Sequence, residues 1–101
     1  MLVGDPKFAA QLQTVEGEVL NFDDPGCLLR YVARHKPRLR ESYFHHVKEE
    51  RWLSQAQVGF LPASPSPMGY GLGAVPRQTP GALHYEQAMA RVLKRETRHT
   101  P

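Results

Sequence analysis

Residues 62–73 are the stretch that most constrains how this chain can fold. They hold prolines at positions 62, 65 and 67 and glycines at positions 69, 71 and 73. Proline fixes φ and lacks a backbone donor, while glycine weakens regular structure. The stretch therefore predicts an irregular loop, followed from Tyr70 to Val75 by a glycine-rich strand that another backbone or a ligand approaches closely.

Two short strands are predicted near the N-terminus. From Lys7 to Gln13, apolar and polar residues alternate with the period of a half-buried strand. Residues 14–17 supply a turn, and Val19, Leu20 and Phe22 form a second apolar group. Together these segments predict a β-hairpin.

A helix is predicted from Pro25 to about His35. Asp24 is a favourable N-cap, and proline suits the first helical position because its missing N–H costs nothing there. Pro37 ends the element. One apolar stripe follows the helical period and is expected to face the core: Cys27, Leu28, Tyr31, Val32 and His35.

The segment after this helix predicts two further strands, from Glu41 to Lys48 and from Val58 to Leu61, with a single turn between Ser54 and Gln57. His45 and His46 resemble a metal-binding pair. Consecutive strand residues point to opposite faces, so one histidine is expected inward and the other exposed. A third ligand from elsewhere would be needed to recruit either of them to a metal.

The remaining large elements complete an α+β fold. Trp52 is expected to anchor the core, and a final helix is predicted over residues 83–96 with Tyr85, Ala88, Met89 and Val92 buried. The predicted order is β-β-α-β-β-β-α, a small antiparallel sheet of four to five strands with two helices packed on it. Residues 1–101 form one domain, in which residues 97–101 are a basic tail.

Composition excludes several function classes. The single cysteine, Cys27, cannot form an intrachain disulfide or an all-cysteine zinc site. No apolar run reaches the length of a membrane span. The net charge of +3 lies in the last eleven residues, since residues 1–90 carry nine basic and nine acidic side chains. Basic residues at a helix C-terminus complement its dipole, so no nucleic-acid partner is expected.

Met68 is the candidate functional residue. It stands between Pro67 and Gly69 in the predicted loop, where a methionine cannot fill core gaps. Thioethers are soft donors that select Cu(I) over harder ions. The alternative is that Met68 starts the following strand and packs inward.

Three stretches taken together resemble the NosL family, the accessory proteins of nitrous oxide reductase. They are Gly-Asp-Pro-Lys-Phe-Ala-Ala-Gln at residues 4–11, Phe-Asp-Asp-Pro-Gly-Cys at residues 22–27 leading to Tyr31, and Pro-Met-Gly-Tyr-Gly at residues 67–71. The resemblance implies a small α+β protein of the cell envelope, periplasmic or membrane-anchored. It implies a metallochaperone that carries Cu(I) toward a copper-enzyme maturation partner.

The same resemblance implies a sulfur-rich metal site. Met68 matches the family's loop methionine, and Met1 falls where its N-terminal methionine stands. The family's N-terminal cysteine has no counterpart here, so Cu(I) is expected to bind weakly. Any membrane association is expected to come from a leader or anchor that this chain lacks.

Two other functions are weighed. One is a protein-interaction module without metal, docking a partner through the proline-rich loop and the strand after it. The other is an enzyme, which is not expected, because Cys27 and His35 lie about two turns apart on one helix. Cys27 near a helix N-terminus favours the thiolate, but Asp23 and Asp24 oppose that effect, and the expectation is a structural thiol.

Overall fold

The N-terminal segment forms a hairpin, as predicted. In the computed structural model, which describes the backbone of residues 6–99 and side chains as far as Arg95, a short 3-10 helix (Pro6–Phe8) precedes strand β1 (Ala10–Thr14). Strand β2 (Val19–Phe22) pairs with β1 in antiparallel register. The first strand therefore begins at Ala10, later than the predicted start at Lys7. Phe8 is nevertheless buried, as the alternation of apolar and polar residues indicated.

Helix α1 (Pro25–His35) has the predicted bounds. The side chain of Asp24 accepts a hydrogen bond from the backbone N–H of Gly26, and Pro25 occupies the first turn. Lys36 ends the helix in the left-handed region at φ 45° and donates its N–H to the carbonyl of Val32. This terminal conformation is usually taken by glycine.

The main sheet has four antiparallel strands in the order β2-β1-β3-β4. Strand β3 (Leu39–His45) ends before the predicted Lys48, and β4 (Trp52–Ser54) replaces part of the expected turn segment. Its register places Trp52 opposite His45 on the outer face of the sheet. Trp52 is consequently 49% exposed, so its prediction as a core anchor was wrong.

The last two strands form a separate sheet, where a single sheet of four to five strands was expected. Strand β5 (Val58–Pro62) pairs with β6 (Leu72–Pro76) in antiparallel register. One parallel bridge joins the two sheets, because the N–H of Val47 donates to the carbonyl of Ala74 at 2.8 Å. Since β6 is almost entirely buried, it does not offer the open edge that docking by strand addition requires.

Helix α2 (Tyr85–His99) closes the core, and its backbone extends beyond the predicted end at residue 96 into the expected tail. Its predicted inner residues are buried or packed against the core. Phe44 of β3 meets Phe60 of β5 edge-on, with ring centroids 5.1 Å apart. Helix α1 packs on α2, β1 and β6, which binds both sheets to one apolar core.

The fold class is therefore confirmed as α+β, with one strand more than predicted and the strands divided between two sheets. No helix within the described residues is long and apolar enough to span a bilayer.

Candidate functional site

The loop that carries Met68 is held by its own hydrogen bonds. The N–H of Gly69 donates to the carbonyl of Ser66 at 3.0 Å, and the N–H of Gly71 donates to the Ser66 hydroxyl at 2.9 Å. The N–H of Ala63 closes the loop on the carbonyl of Gly71. Gly69 and Gly71 have φ values of 76° and 71°, which other residues rarely adopt. The backbone beside the Met68 thioether therefore has a defined conformation.

A buried carboxylate fastens this loop to helix α1. Asp24 is fully buried, and while its Oδ1 caps the helix, its Oδ2 accepts a hydrogen bond from the N–H of Met68 at 3.0 Å. Hydrogen bonds to an ionised acceptor are stronger than neutral ones, and a buried carboxylate needs them. One side chain thus positions both the start of α1 and the candidate ligand residue.

Tyr70 and Gly26 form a second contact between loop and helix. A Cβ added at Gly26 would lie 2.1 Å from Cγ of Tyr70, so the tyrosine side chain occupies the space that glycine leaves. Arg95 of α2 covers the other side of the loop. Its guanidinium lies over the Tyr70 ring at 5.4 Å, and its Nη1 donates to the carbonyl of Gly69.

The Met68 side chain is 59% exposed at this corner. The alternative that it packs inward is therefore wrong. Met1, the second predicted ligand, lies outside the described residues. Met89, the remaining methionine, is partly buried against the core on α2, as predicted. The side chain of Met68 is the thioether among the described residues that solvent reaches most readily.

Cys27 is half-buried in a shallow cleft beside α1 that Phe22, Tyr31 and His35 also line. Burial and, to a smaller extent, the Asp24 carboxylate raise the pKa of its thiol to about 11, against the opposite effect of Arg30. The thiol is thus protonated at neutral pH. This environment favours the structural interpretation over a metal-binding or nucleophilic thiolate.

Both histidines of the pair are buried, so the prediction that one of them is exposed was wrong. His45 lies on the outer face but is only 7% exposed, because the Trp52 ring packs edge-on against it with ring centroids 5.3 Å apart. His46 is 5% exposed and is bridged to Ala74. Nδ1 of His46 accepts hydrogen bonds from the N–H groups of Lys48 and Glu49 at 3.0 and 3.1 Å. His46 therefore organises the turn after β3.

His45 has its own set of partners. Its Nδ1 lies 2.7 Å from the carbonyl of His46, and its Nε2 lies 3.6 Å from a carboxylate oxygen of Glu50. Within residues 6–95, no group of three or more His, Cys, Asp or Glu side chains is placed to hold a metal ion.

The long-range role of Asp24 is the feature that sequence reasoning missed. The sequence indicated that Asp24 caps the helix, but its second donor, the N–H of Met68 44 residues further along the chain, left no local pattern. The contact of Arg95 with the loop was missed in the same way. A basic residue near the C-terminal end of a helix is already explained by the helix dipole and by solubility, so nothing in the sequence indicated a further partner.

Comparisons of the chain with protein-family models, with curated proteins and with solved structures find no significant match.

Proposed function

We propose that this protein is a Cu(I)-binding accessory protein of the NosL type, a metallochaperone whose loop residue Met68 contacts the metal. It would deliver Cu(I) in the cell envelope to a maturation partner of a copper enzyme such as nitrous oxide reductase. The observation that carries the proposal is an exposed thioether on a loop whose backbone is tied to a buried carboxylate.

The chemistry of the donor fits a metal that is cargo. A thioether is neutral, so it binds Cu(I) by softness alone and releases it more readily than a thiolate does. The exposure of Met68 leaves room for ligands from an incoming partner, which allows the ion to pass by ligand exchange. Met1 is proposed as a further sulfur ligand on the strength of the family resemblance.

Preorganisation of the loop supports the same function. Fixing a flexible loop upon binding costs conformational entropy, and this cost is already met in the folded protein where Asp24 and Ser66 hold the backbone. Two of the three stretches that carry the resemblance also contact each other, through Asp24 with Met68 and Gly26 with Tyr70. They act as one structural unit.

Titration of Cu(I) against a competing chelator tests the proposal. We expect Met68→Leu, which keeps an apolar side chain and removes the sulfur, to weaken Cu(I) binding by about tenfold or more, a loss of at least ~1.4 kcal/mol. Met89→Leu is the matched control, because it removes a methionine that packs against the core. Equal affinities for the wild type and Met68→Leu would remove Met68 from the site.

A non-metal interaction module is the second candidate, favoured by the exposed Trp52. Its ring lies on the outer face of the main sheet beside Tyr43 and Gln11, around a hollow of about 360 Å³. Aromatic side chains of this kind are enriched where proteins meet partners. If the folded protein binds no Cu(I) even with a cysteine added ahead of Met1, this candidate replaces the first.

A further inference from the structure

The outer face of the main sheet carries two aromatic side chains beside each other. Trp52 of β4 is 49% exposed, and Tyr43 of β3 is half-buried. The register pairs Tyr43 with Gln11 of β1 and places Trp52 diagonally from Tyr43 on the other side, within the reach of aromatic side chains. Gln11, Tyr43 and Trp52 line the hollow of about 360 Å³, which we call the Trp52 hollow. Its volume is within the range of sites that hold small ligand groups.

The opposite face of this sheet is the one that builds the core. Leu12, Phe44 and Leu53 alternate along their strands with the residues of the outer face, and all three belong to the apolar cluster that the helices and the second sheet complete. The aromatic pair therefore lies on the face that the described helices and the second sheet leave open. Exposed tryptophan and tyrosine are enriched where proteins bind their partners.

The ring of Trp52 packs against a neighbour that is itself fixed. It meets the His45 ring edge-on, with ring centroids 5.3 Å apart. Nδ1 of His45 lies 2.7 Å from the carbonyl oxygen of His46, so this nitrogen carries the proton and donates it. A ring whose position is set before binding loses little conformational entropy when a ligand covers it.

The Trp52 hollow offers hydrogen-bond donors more than acceptors. The indole N–H of Trp52 can only donate, and within the part of the chain that the structure describes neither this group nor the Tyr43 hydroxyl has a hydrogen-bond partner. The amide oxygen of Gln11 already accepts from Gln13 at 3.2 Å, while its nitrogen donates to Asn21 at 3.1 Å. The second N–H of Gln11 adds a further donor.

A proline-rich segment is the ligand whose chemistry matches this lining. The three lining side chains are uncharged, so a phosphate or an ammonium group would lose hydration without gaining an opposite charge. Sugar hydroxyls both donate and accept, so they need acceptors as well as donors. Proline lacks a backbone N–H, and a polyproline II helix leaves its carbonyl oxygens free to accept. Aromatic-lined grooves bind such segments because the extended form is already set before binding.

We propose that the Trp52 hollow docks a proline-rich segment of a partner protein in the polyproline II conformation. A proline ring lies between Trp52 and Tyr43, and backbone carbonyls of the segment accept from the indole N–H and the tyrosine hydroxyl. The proposal rests on the interaction-module candidate and specifies the partner of that candidate. It is independent of Cu(I), since the Trp52 hollow and the Met68 loop share no residue.

The exposed prolines of the chain's own loop do not have the conformation that this ligand needs. Pro65 and Pro67 flank Ser66, whose carbonyl and hydroxyl oxygens accept hydrogen bonds from the N–H groups of Gly69 and Gly71. The loop is therefore folded into a turn, and its prolines do not form an extended segment. For this reason the proposal assigns the ligand to another protein and not to a second copy of this chain.

Tryptophan fluorescence tests the proposal, because Trp52 is the single tryptophan of the chain and lines the hollow. The probe is a ten-residue oligoproline peptide with acetylated and amidated ends. We expect a saturable change in emission with a Kd below about 1 mM. A Gly-Ser peptide of the same length, which is a flexible coil, and cellohexaose are the comparison probes, and neither is expected to give a saturable change.

Variants separate the contributions of the rings and the donors, with binding measured by calorimetric titration. Trp52→Ala removes a ring and is expected to weaken oligoproline binding by about thirtyfold or more. Tyr43→Phe keeps the ring and removes a donor, so we expect a loss of about threefold or more. Tyr31→Phe, which removes a hydroxyl from α1, is the matched control and leaves binding unchanged. Met68→Leu also leaves it unchanged, and Tyr43→Phe leaves the affinity for Cu(I) unchanged.

Three outcomes would overturn the proposal. One is that oligoproline produces no saturable change in emission. Another is that the Gly-Ser peptide or cellohexaose binds as tightly as oligoproline, in which case the hollow binds ligands but does not select proline. The third is that oligoproline binding persists undiminished in Trp52→Ala.

Discussion

At the scale of single residues, the buried carboxylate of Asp24 has two structural roles. Its Oδ1 caps α1 through Gly26, and its Oδ2 holds the N–H of Met68. Replacing the carboxylate with an amide preserves one acceptor but turns a donor toward another donor. The asparagine side chain cannot then accept hydrogen bonds from both the N–H of Gly26 and the N–H of Met68.

Asp24→Asn is therefore expected to lower the free energy of unfolding by about 1–3 kcal/mol, the cost of leaving a buried polar group unsatisfied. Urea unfolding followed by circular dichroism measures this. Asp23→Asn is the control at the neighbouring, half-exposed position, where we expect a change within about 0.5 kcal/mol. Similar losses for the two variants would contradict the role assigned to Asp24.

Cys27 provides a prediction that depends on pH. Its thiol has a pKa of about 11 in the folded chain, against an ordinary value of 9.0. Because the thiolate is the nucleophile, alkylation by iodoacetamide should be slow at neutral pH and should rise through about pH 11. The same chain in urea should react with the profile of an ordinary thiol. A rate that levels off below pH 9 in the folded protein would contradict the burial of this group.

The raised pKa of Cys27 also determines how the free energy of unfolding changes with pH. Folding favours the neutral thiol, so the contribution of Cys27 to the free energy of unfolding is fully present below pH 9.0, where the thiol is neutral in both the folded and the unfolded state. It is lost as pH rises from 9.0 through about 11, because the unfolded chain ionises first. Cys27→Ser should lack this component of the alkaline loss of stability.

At the scale of elements, Gly26 joins α1 to the Met68 loop. Alanine normally stabilises a helix relative to glycine by roughly 1 kcal/mol. At position 26 the alanine Cβ would overlap the side chain of Tyr70. Relieving this overlap would require the Met68 loop to move away from α1. The helix preference and the packing requirement oppose each other at this position.

We expect packing to prevail, so that Gly26→Ala lowers the free energy of unfolding by about 1–3 kcal/mol, as overpacking usually does. Ala33→Gly on the same helix is the control, and it should also destabilise the chain, by about 1 kcal/mol, through the ordinary helix preference. Chemical denaturation of both variants distinguishes the effects. A Gly26→Ala variant more stable than the wild type would show that Tyr70 does not pack on α1.

Local signals and long-range pairing account for what the sequence could and could not predict at this scale. The N-cap Asp24 and Pro25 located the start of α1 correctly, because both act on their immediate neighbours. Strand β4 was missed because three residues carry little periodicity and Trp52–Ser54 becomes a strand by pairing with β3. The burial of both histidines was not predicted, because the Trp52 ring covers His45 and His46 is bridged to Ala74, and both partners are distant in the sequence or lie on another strand.

At the scale of the whole molecule, the fold brings distant segments of the chain together at the candidate site. Residues of α1, the proline-rich loop and α2 meet around Met68, through Asp24, Tyr70 and Arg95. The sequence predicted the candidate residue and the α+β class, and the exposure of Met68 agrees with the loop that its prolines and glycines indicated. It did not predict the contacts that hold the loop, since their hydrogen bonds join positions 26 and 44 residues apart.

The proposed contact between the Met68 sulfur and Cu(I) is tested most directly by the ε-methyl resonances of methionine. Cu(I) is diamagnetic, so its binding to a thioether shifts the methyl signal of that residue without broadening it away. We predict that adding Cu(I) shifts the Met68 methyl resonance, identified by its absence in Met68→Leu, and leaves the Met89 resonance in place. A Met68 methyl signal that does not move while Cu(I) is bound elsewhere, or is not bound, would contradict the account.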